Sequence, residues 1–387
     1  MPRRRAKRWL SFGTFTLGLV PVGLAVLAYH PFWPNPGYRV PADLPHGFTW
    51  GIAWHPVLSE PKRFSTNAQL AAAKDLGMGL LRFDVRWSDL QPQPGSLDTS
   101  KLPYYQGLLR DCRDRGFQAK VNLGTYPDWA IALLKRDPEA FFGEYRRYVR
   151  AVVTALGPEV QYYQLGNEFN TVLDPIPASY DARVFREAKA EIARYQATHP
   201  DWKVKTVINV CDTFYLPWKG ALEGVLKEAS GAIDVIGYDF YPGNYSHLND
   251  WGAWPQIAYL SQLMQRYDKD GAICETGCLA FLGEGRQARW IQESTRAMLG
   301  AIAQSPVKDR FRFAAYYELV DADKLPAWWL PHTEATFGLI ATDGRRKPGF
   351  EALREVVTET HAVQGLDPSS HARTIGVLPP PGGAGRG

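Results

Sequence analysis

The sequence lacks the features that mark several large classes of protein. It has one long uncharged run and no second, which excludes a protein that crosses a membrane many times. Its positive and negative residues nearly balance, at a formal net charge of +4, and the excess comes from cations in the first eight residues. The rest of the chain is near neutral and has no basic face, so no nucleic-acid partner is predicted. A hydrophobic content of 45% is too high for a disordered chain.

The N-terminal cations precede the apolar run, and this order predicts export from the cytoplasm. Residues 1–8 form a basic cytoplasmic segment, and residues 9–29 carry no charge and are about long enough to span a bilayer. We predict a retained signal-anchor here. A cleaved signal peptide is the alternative, because the small residue Ala28 suits a signal peptidase. In either case the body is predicted to be extracytoplasmic, attached to the membrane or secreted.

The two segments that flank the remaining chain have compositions that disfavour packing. Residues 30–45 are rich in proline and are predicted to form a spacer. Residues 365–387 contain three consecutive prolines and few apolar residues, which predicts a disordered tail. Between them, residues 46–364 are long enough for one large domain.

Short apolar runs alternate with helical patterns along this domain. Eight such runs begin roughly 30–40 residues apart, a spacing typical of an α/β barrel. The predicted strands are 49–54, 80–85, 118–123, 161–166, 204–210, 233–238, 271–274 and 312–317, and the predicted helices include 67–76, 104–115, 140–156, 182–198 and 287–303. We predict a single (β/α)8 TIM barrel. A doubly wound open sheet is the alternative, but no glycine-rich phosphate loop follows the first strand.

Two glutamates stand where predicted strands end, and a barrel of parallel strands carries its chemistry at that end. The fourth strand runs directly into Asn167 and Glu168, and the seventh runs into Glu275. A carboxylate at a buried strand end is costly unless it is paired or used. On strands four and seven the two carboxyl groups would face each other across the mouth. Hydrolysis of a glycosidic bond needs such a pair, one carboxyl protonated and the other ionised.

With these motifs the sequence resembles the clan A glycoside hydrolases, the retaining (β/α)8 superfamily, over roughly residues 48–350. In that clan an Asn-Glu pair ends strand four, and its Glu is the acid/base. The resemblance therefore implies that role for Glu168, with Asn167 beside it in the substrate site. A Glu that ends strand seven is the nucleophile in the clan, which implies that role for Glu275.

The segments around strands two and six extend the resemblance. Residues 81–95 are similar to the strand-two region of families 5, 39 and 42, which implies that Arg82 contacts the nucleophile. Residues 234–242 resemble strand six of families 53 and 113, which implies that Tyr241 hydrogen bonds to it. Two positions depart from the clan pattern. Asp239 stands where a His is common, and strand eight ends at Tyr317 and Glu318, where a Trp is common.

Other residues near the predicted mouth are candidates for substrate binding. Apolar sugar faces pack on indole rings, so Trp54, Trp328 and Trp329 are predicted to contact the sugar. His55 has no partner at metal-ligand spacing and is predicted to be a hydrogen-bonded histidine at the rim. Asp239 joins the predicted substrate-binding set because it ends strand six.

The few cysteines do not form a recognisable metal site. The chain has four, Cys112, Cys211, Cys274 and Cys278, and the last two lack the second pair that a zinc site would show. An extracytoplasmic body permits a disulfide, and three pairings are open. Cys211 with Cys278 is the most attractive pair, because both follow predicted strand ends.

The function predicted from these observations is retaining hydrolysis of O-glycosidic bonds, β-linked, in an oligo- or polysaccharide that is cut internally. Neither a metal nor a cofactor is predicted, since both reacting groups are side chains. We predict a monomer. Two alternatives remain open: a transglycosylase that uses the same glutamates, and a noncatalytic carbohydrate-binding protein built on the same barrel.

Overall fold

The computed structural model describes residues 37–55, 65–171, 174–212, 217–244, 250–322 and 335–366, and every structural statement below concerns these residues. Eight parallel strands pair in sequence order, and β8 pairs with β1 to close the barrel. The strands are β1 Thr49–Ala53, β2 Leu80–Arg86, β3 Gln118–Gly124, β4 Tyr162–Leu165, β5 Lys205–Cys211, β6 Val235–Asp239, β7 Asp270–Thr276 and β8 Phe311–Tyr316. The predicted α/β fold class and (β/α)8 architecture are confirmed.

Helices follow the strands and cover the outside of the barrel. They are α1 Thr66–Asp75, α2 Trp87–Leu90, α3 Leu102–Asp114, α4 Asp128–Arg136, α5 Pro138–Leu156, α6 Ala178–Ala197, α7 Trp218–Ala229, α8 Gln256–Tyr267, α9 Glu284–Ala303 and α10 Pro348–Val363. The residues of α5 show why such a segment forms a helix against the sheet. Asp137 caps its first turn by accepting from the Ala140 N–H, and apolar residues at helical spacing are buried along one face.

The core has two parts, because the strands are buried on both faces. Outside the sheet, apolar side chains of strands and helices form one continuous cluster. Inside the barrel, a lower apolar layer consists of Leu80, Val207, Val235, Ala272, Cys274 and Phe313. The leucine, valine and phenylalanine side chains of this layer each contribute about 1.5–3 kcal/mol when fully buried. Above this layer the interior becomes polar, with buried Arg82, Lys120, Asn122, Gln164, Asn209, Asp239 and Glu275.

The predicted N-terminal segments lie largely outside the described residues. Residues 1–8 and 9–29 are outside them, as is most of the predicted tail, so the signal-anchor and the disordered tail stay predictions. In the described part of the chain, no helix has both the length and the hydropathy to cross a membrane. The first described residues pack on the barrel: Leu44 is buried, and Gln364 Nε2 donates to the Pro45 carbonyl oxygen at 2.7 Å.

All four cysteines are buried and carry free thiols. The pairing of Cys211 with Cys278, which the sequence made attractive, is therefore absent. The Cys278 thiol instead lies 3.2 Å from Nη1 of Arg286, and burial raises its pKa to about 12.

Candidate active site

The end of β4 turns sharply and places Glu168 over the barrel mouth. Gly166 and Glu168 both have positive φ, 89° and 47°, so the chain leaves the strand direction within three residues. A left-handed conformation costs a residue other than glycine roughly 1–2 kcal/mol. The Glu168 N–H offsets part of that cost by donating to Oδ1 of Asn209 on β5, at 2.9 Å.

Glu275 lies at the end of β7 and is held by two donors from other strands. Arg82 Nη2 on β2 lies 2.6 Å from Glu275 Oε1, and the Tyr241 hydroxyl donates to Oε2 at 2.7 Å. Both partners are buried, so the charges interact in a medium of low dielectric constant. These two contacts stabilise the ionised carboxylate, which is the form that attacks an anomeric carbon. The contacts that the family resemblance implied for Arg82 and Tyr241 are thus present.

Glu168 has the opposite electrostatic environment. Burial raises its pKa to about 8, and the negative charge of Glu275 adds to the rise. Carboxylate oxygens of Glu168, Asp239 and Glu275 all lie within 4.8 Å of one another. Two glutamates with different environments therefore meet in one site, one stabilised as the anion and the other as the acid.

Asn167 is exposed at the mouth, and its carbonyl oxygen is fixed by three donors. Oδ1 accepts from Arg82 Nη2 at 3.1 Å, from Gln164 Nε2 at 2.9 Å and from Asn209 Nδ2 at 3.2 Å. This network holds the side chain in one orientation beside Glu168. The exposure of Asn167 fits its predicted place in the substrate site.

Asp239 does not lie where a substrate-binding residue would. Its side chain is fully buried, and Asn209 Nδ2 donates to its Oδ2. A sugar hydroxyl would have to displace neighbouring side chains to reach it. The structure therefore does not support the predicted substrate contact, and it places Asp239 beneath the two glutamates.

Trp54 likewise points away from the mouth. Side chains alternate along a strand, and Trp54 has the outward parity. It is buried, its indole N–H donates to Gln69 Oε1 on α1 at 2.9 Å, and its ring packs on Phe83. No ring face is left for a sugar, so the predicted stacking of Trp54 is not supported.

His55 follows Trp54 with the opposite parity and lies near the mouth. Its Nε2 is 3.3 Å from Glu318 Oε2, and its ring packs edge-on against Tyr317. Burial lowers the pKa of His55 to about 4, so the imidazole is neutral near pH 7. Its place at the rim agrees with the sequence prediction. Trp328 and Trp329 lie outside the described residues, and their stacking stays a prediction.

Three site residues were missed by the sequence analysis. Asn209 joins Glu168, Asn167 and Asp239 through hydrogen bonds. Lys120 on β3 is fully buried inside the barrel, and Tyr317 at the end of β8 packs against Tyr241 and Phe337. For Asn209 and Lys120 a signal was available, since each is a polar residue between two apolar neighbours and shares the inward parity of a neighbouring site residue.

The three carboxylates are also the described residues whose spacing could hold a metal ion. Their other contacts favour proton transfer over metal binding, because their oxygens already have hydrogen-bond donors. The Arg82 guanidinium and the Tyr241 hydroxyl contact Glu275, and the Asn209 amide donates to Asp239. Nothing else in the donor set indicates a cation, and none is assigned.

Comparison with known proteins gives a likeness in structure alone. No protein-family model matches the chain, and no curated protein does. An apo β-glucosidase is 18% identical, with a TM-score of 0.62, and the match covers 81% of this chain and 98% of that one. A family 5, subfamily 18 glycoside hydrolase from Streptomyces cattleya in complex with Manβ1-4GlcNAc is 18% identical at a TM-score of 0.62, with 80% of each chain covered. The family 53 catalytic domain of Ignisphaera aggregans is 17% identical, with a TM-score of 0.59, and the match covers 84% of this chain and 98% of that one.

At these identities the likeness establishes the fold. The chain has the (β/α)8 barrel that these structures share, and the match extends over about four fifths of its length.

A first prediction concerns the tyrosine beside Glu275. Replacing Tyr241 with phenylalanine removes one donor from the carboxylate, and we expect kcat/KM to fall by about tenfold to a hundredfold. Steady-state kinetics on one substrate measure the change. Tyr238→Phe on the same strand is the matched control, because the Tyr238 ring packs on Trp218 outside the barrel. An equal loss in both variants would contradict a specific role for Tyr241.

Proposed function

We propose that the protein is a retaining glycoside hydrolase, with Glu275 as nucleophile and Glu168 as acid/base. The observation that carries this proposal is the approach of the two carboxylates to within 4.8 Å. Retaining enzymes hold this pair about 5–5.5 Å apart, whereas inverting enzymes need roughly 6.5–9.5 Å to admit a water molecule. One oxygen of each carboxylate lies within 4.8 Å of the other, an approach that favours direct attack on the sugar over an intervening water.

The proposed reaction has two displacements. In the first, ionised Glu275 attacks the anomeric carbon while Glu168 donates its proton to the leaving oxygen, which gives a glycosyl ester on Glu275. Esterification removes the negative charge that opposes ionisation of Glu168. Glu168 then accepts a proton from water, whose oxygen attacks the anomeric carbon as the bond from that carbon to Glu275 breaks, and both glutamates return to their starting states.

We propose a β-linked oligo- or polysaccharide as substrate, cut within the chain. The β linkage is supported by two of the similar structures, a β-glucosidase and an enzyme in complex with a β1-4 disaccharide. Internal cleavage follows from the predicted extracytoplasmic location, where polymers are the available glycans. That location, outside the cytoplasm and attached through residues 9–29, is part of the proposal.

The test is a hydrolysis screen with the full chain on β-glucans, β-mannans and β-galactans. Proton NMR of the first product then reports the anomer, and we expect the β-anomer to appear first. An α-anomer would contradict retention. Transfer of sugar to a second sugar in place of water would indicate the transglycosylase. Binding without turnover, equal in the wild type and Glu275→Gln, would indicate a binding protein.

A further inference from the structure

The site contains a third carboxylate that the two-glutamate reaction does not use. Asp239 is fully buried, and its carboxylate oxygens approach those of both Glu168 and Glu275 to within 4.8 Å. In the clan pattern given above a His is common here, so this chain places an acidic group where an imidazole would stand. The inference below rests on the proposed function and concerns how its acid keeps its proton.

Asp239 and Glu168 are bridged by Asn209, and their carboxyl groups lie close together. Asn209 Nδ2 donates to Asp239 Oδ2, and Asn209 Oδ1 accepts from the Glu168 N–H at 2.9 Å. Asp239 Oδ1 is buried without a hydrogen-bond partner among the described residues, and carboxylate oxygens of Asp239 and Glu168 lie within 4.8 Å of each other. Two ionised carboxylates are acceptors only, so a hydrogen bond between them requires a proton.

The buried charges around the pair indicate how many protons it holds. Besides the three carboxylates, the described site contains two buried cations, Arg82 and Lys120. Lys120 Nζ donates to Asn122 Oδ1 at 3.2 Å, and its charge acts on both Asp239 and Glu275. Uncompensated charge in a barrel interior is costly. Two adjacent carboxylates in this buried site repel each other when both are ionised, so the site is stabilised when one carboxyl group of the pair holds a proton.

That proton belongs to Glu168 and Asp239, because Glu275 has a guanidinium and a phenol as its partners. Burial and the charges of Glu275 and Glu168 hold the pKa of Asp239 well above its usual range. The groups that face the pair from the surrounding elements are Arg82, Lys120, Cys211, Tyr241, Cys274 and Glu275.

We propose that Glu168 and Asp239 share one buried proton, with Lys120 as the counter-charge beneath them, and that Asp239 is a positioning residue that keeps this proton available to Glu168. In the first displacement the proton passes from Glu168 to the leaving oxygen, and both carboxyl groups become anions. Esterification of Glu275 removes one negative charge at the same moment, so the site's net charge is unchanged. In the second displacement, water returns a proton to the pair and hydroxide frees Glu275.

The test is the pH dependence of kcat/KM in two variants that each remove one buried charge. Loss of the shared proton leaves two adjacent anions in the wild type and one in Asp239→Asn, so the alkaline limb of the kcat/KM profile should move down by about 1–2 pH units in this variant. Lys120→Met removes the counter-charge, so the same limb should move up. The loss in Asp239→Asn should also be larger for substrates with poor leaving groups than for activated aryl glycosides, because only the former need the proton.

Asp181→Asn is the matched control. Asp181 is a buried carboxylate of α6 whose pKa burial raises to about 8, with Asp174 as its charged neighbour, and it takes no part in the site. The Asp181→Asn substitution should leave the alkaline limb of the kcat/KM profile at the same pH as in the wild type. If the alkaline limb does not move in Asp239→Asn, the proposal of a shared proton is wrong. If the limb does not move, or moves down, in Lys120→Met, the proposed role of Lys120 as counter-charge is wrong.

A second readout does not depend on activity. Infrared difference spectra of the full chain, wild type minus Glu168→Gln, should show a protonated carboxyl group that titrates above neutral pH, and in Asp239→Asn this titration should move down. If the wild type hydrolyses no glycoside, the proposed function fails while the infrared titration still tests the pair. If Lys120→Met does not fold, the Asp239→Asn titration decides.

Discussion

Replacing Glu275 with glycine is expected to lower kcat for hydrolysis by at least about four orders of magnitude, because the carboxylate that forms the glycosyl ester is removed. The cavity left by the side chain lies beside Arg82 and Tyr241, which would stabilise a small anion there. Azide should therefore restore turnover of an activated β-glycoside and give a product of inverted configuration. Product configuration by proton NMR is the measurement.

Glu318 is the rival carboxylate for this role, since it is buried at the end of β8 near the mouth. Its Oε2 lies 3.3 Å from His55, and it lacks the Arg82 and Tyr241 contacts of Glu275. Glu318→Gln should lose far less activity than Glu275→Gly. If Glu318→Gln were inactive and Glu275→Gly active, the nucleophile would be Glu318.

Replacing Glu168 with alanine is expected to lower the hydrolysis rate by an amount that depends on the leaving group of the substrate. General acid catalysis contributes about 10²–10⁴ in rate. A polysaccharide or an alkyl glycoside should lose that factor. A dinitrophenyl glycoside needs no proton, so its first displacement should proceed and the ester should accumulate. Azide should then release a product of retained configuration, because Glu275 still provides the first inversion.

The pH profile of this variant gives an independent check. In the wild type, activity that needs the acid should be present below about pH 8 and lost as the pH rises through the raised pKa of Glu168. Glu168→Ala should have no such alkaline limb on activated substrates. Inverted product from azide in this variant would mean that the two glutamates have exchanged roles, and an unchanged rate on all substrates would place the acid elsewhere.

Much of the fold and the centre of the site could be predicted from sequence because both depend on patterns along single strands. The barrel followed from eight apolar runs at regular spacing, and Glu168 and Glu275 followed from strands that end in a carboxylate. Contacts such as that of Arg82 with Glu275 join residues nearly two hundred positions apart and were accessible only through the family resemblance.

The errors came from contacts set by register and side-chain direction. Trp54 ends β1 beside His55, and only the pairing of β1 with β2 shows that it faces Gln69 and Phe83 outside the barrel. Asp239 ends β6 as a substrate residue would, yet irregular pairing of β6 with β7 sets it opposite Glu275, beneath the mouth. The hydrogen bonds of Asn209 depend on the positions of β4, β5 and β6 together, and no single strand encodes them.

The central claim is a covalent glycosyl ester on Glu275, and trapping that ester tests it most directly. Incubation with 2,4-dinitrophenyl 2-deoxy-2-fluoro-β-glycosides of glucose, mannose and galactose slows breakdown of the ester, so that it can be isolated. Peptide mass spectrometry should then find one fluoroglycosyl group, attached to Glu275, from the sugar whose parent glycoside is hydrolysed. A label on Glu168, Glu318 or any other residue, or no label from that sugar, would contradict the account.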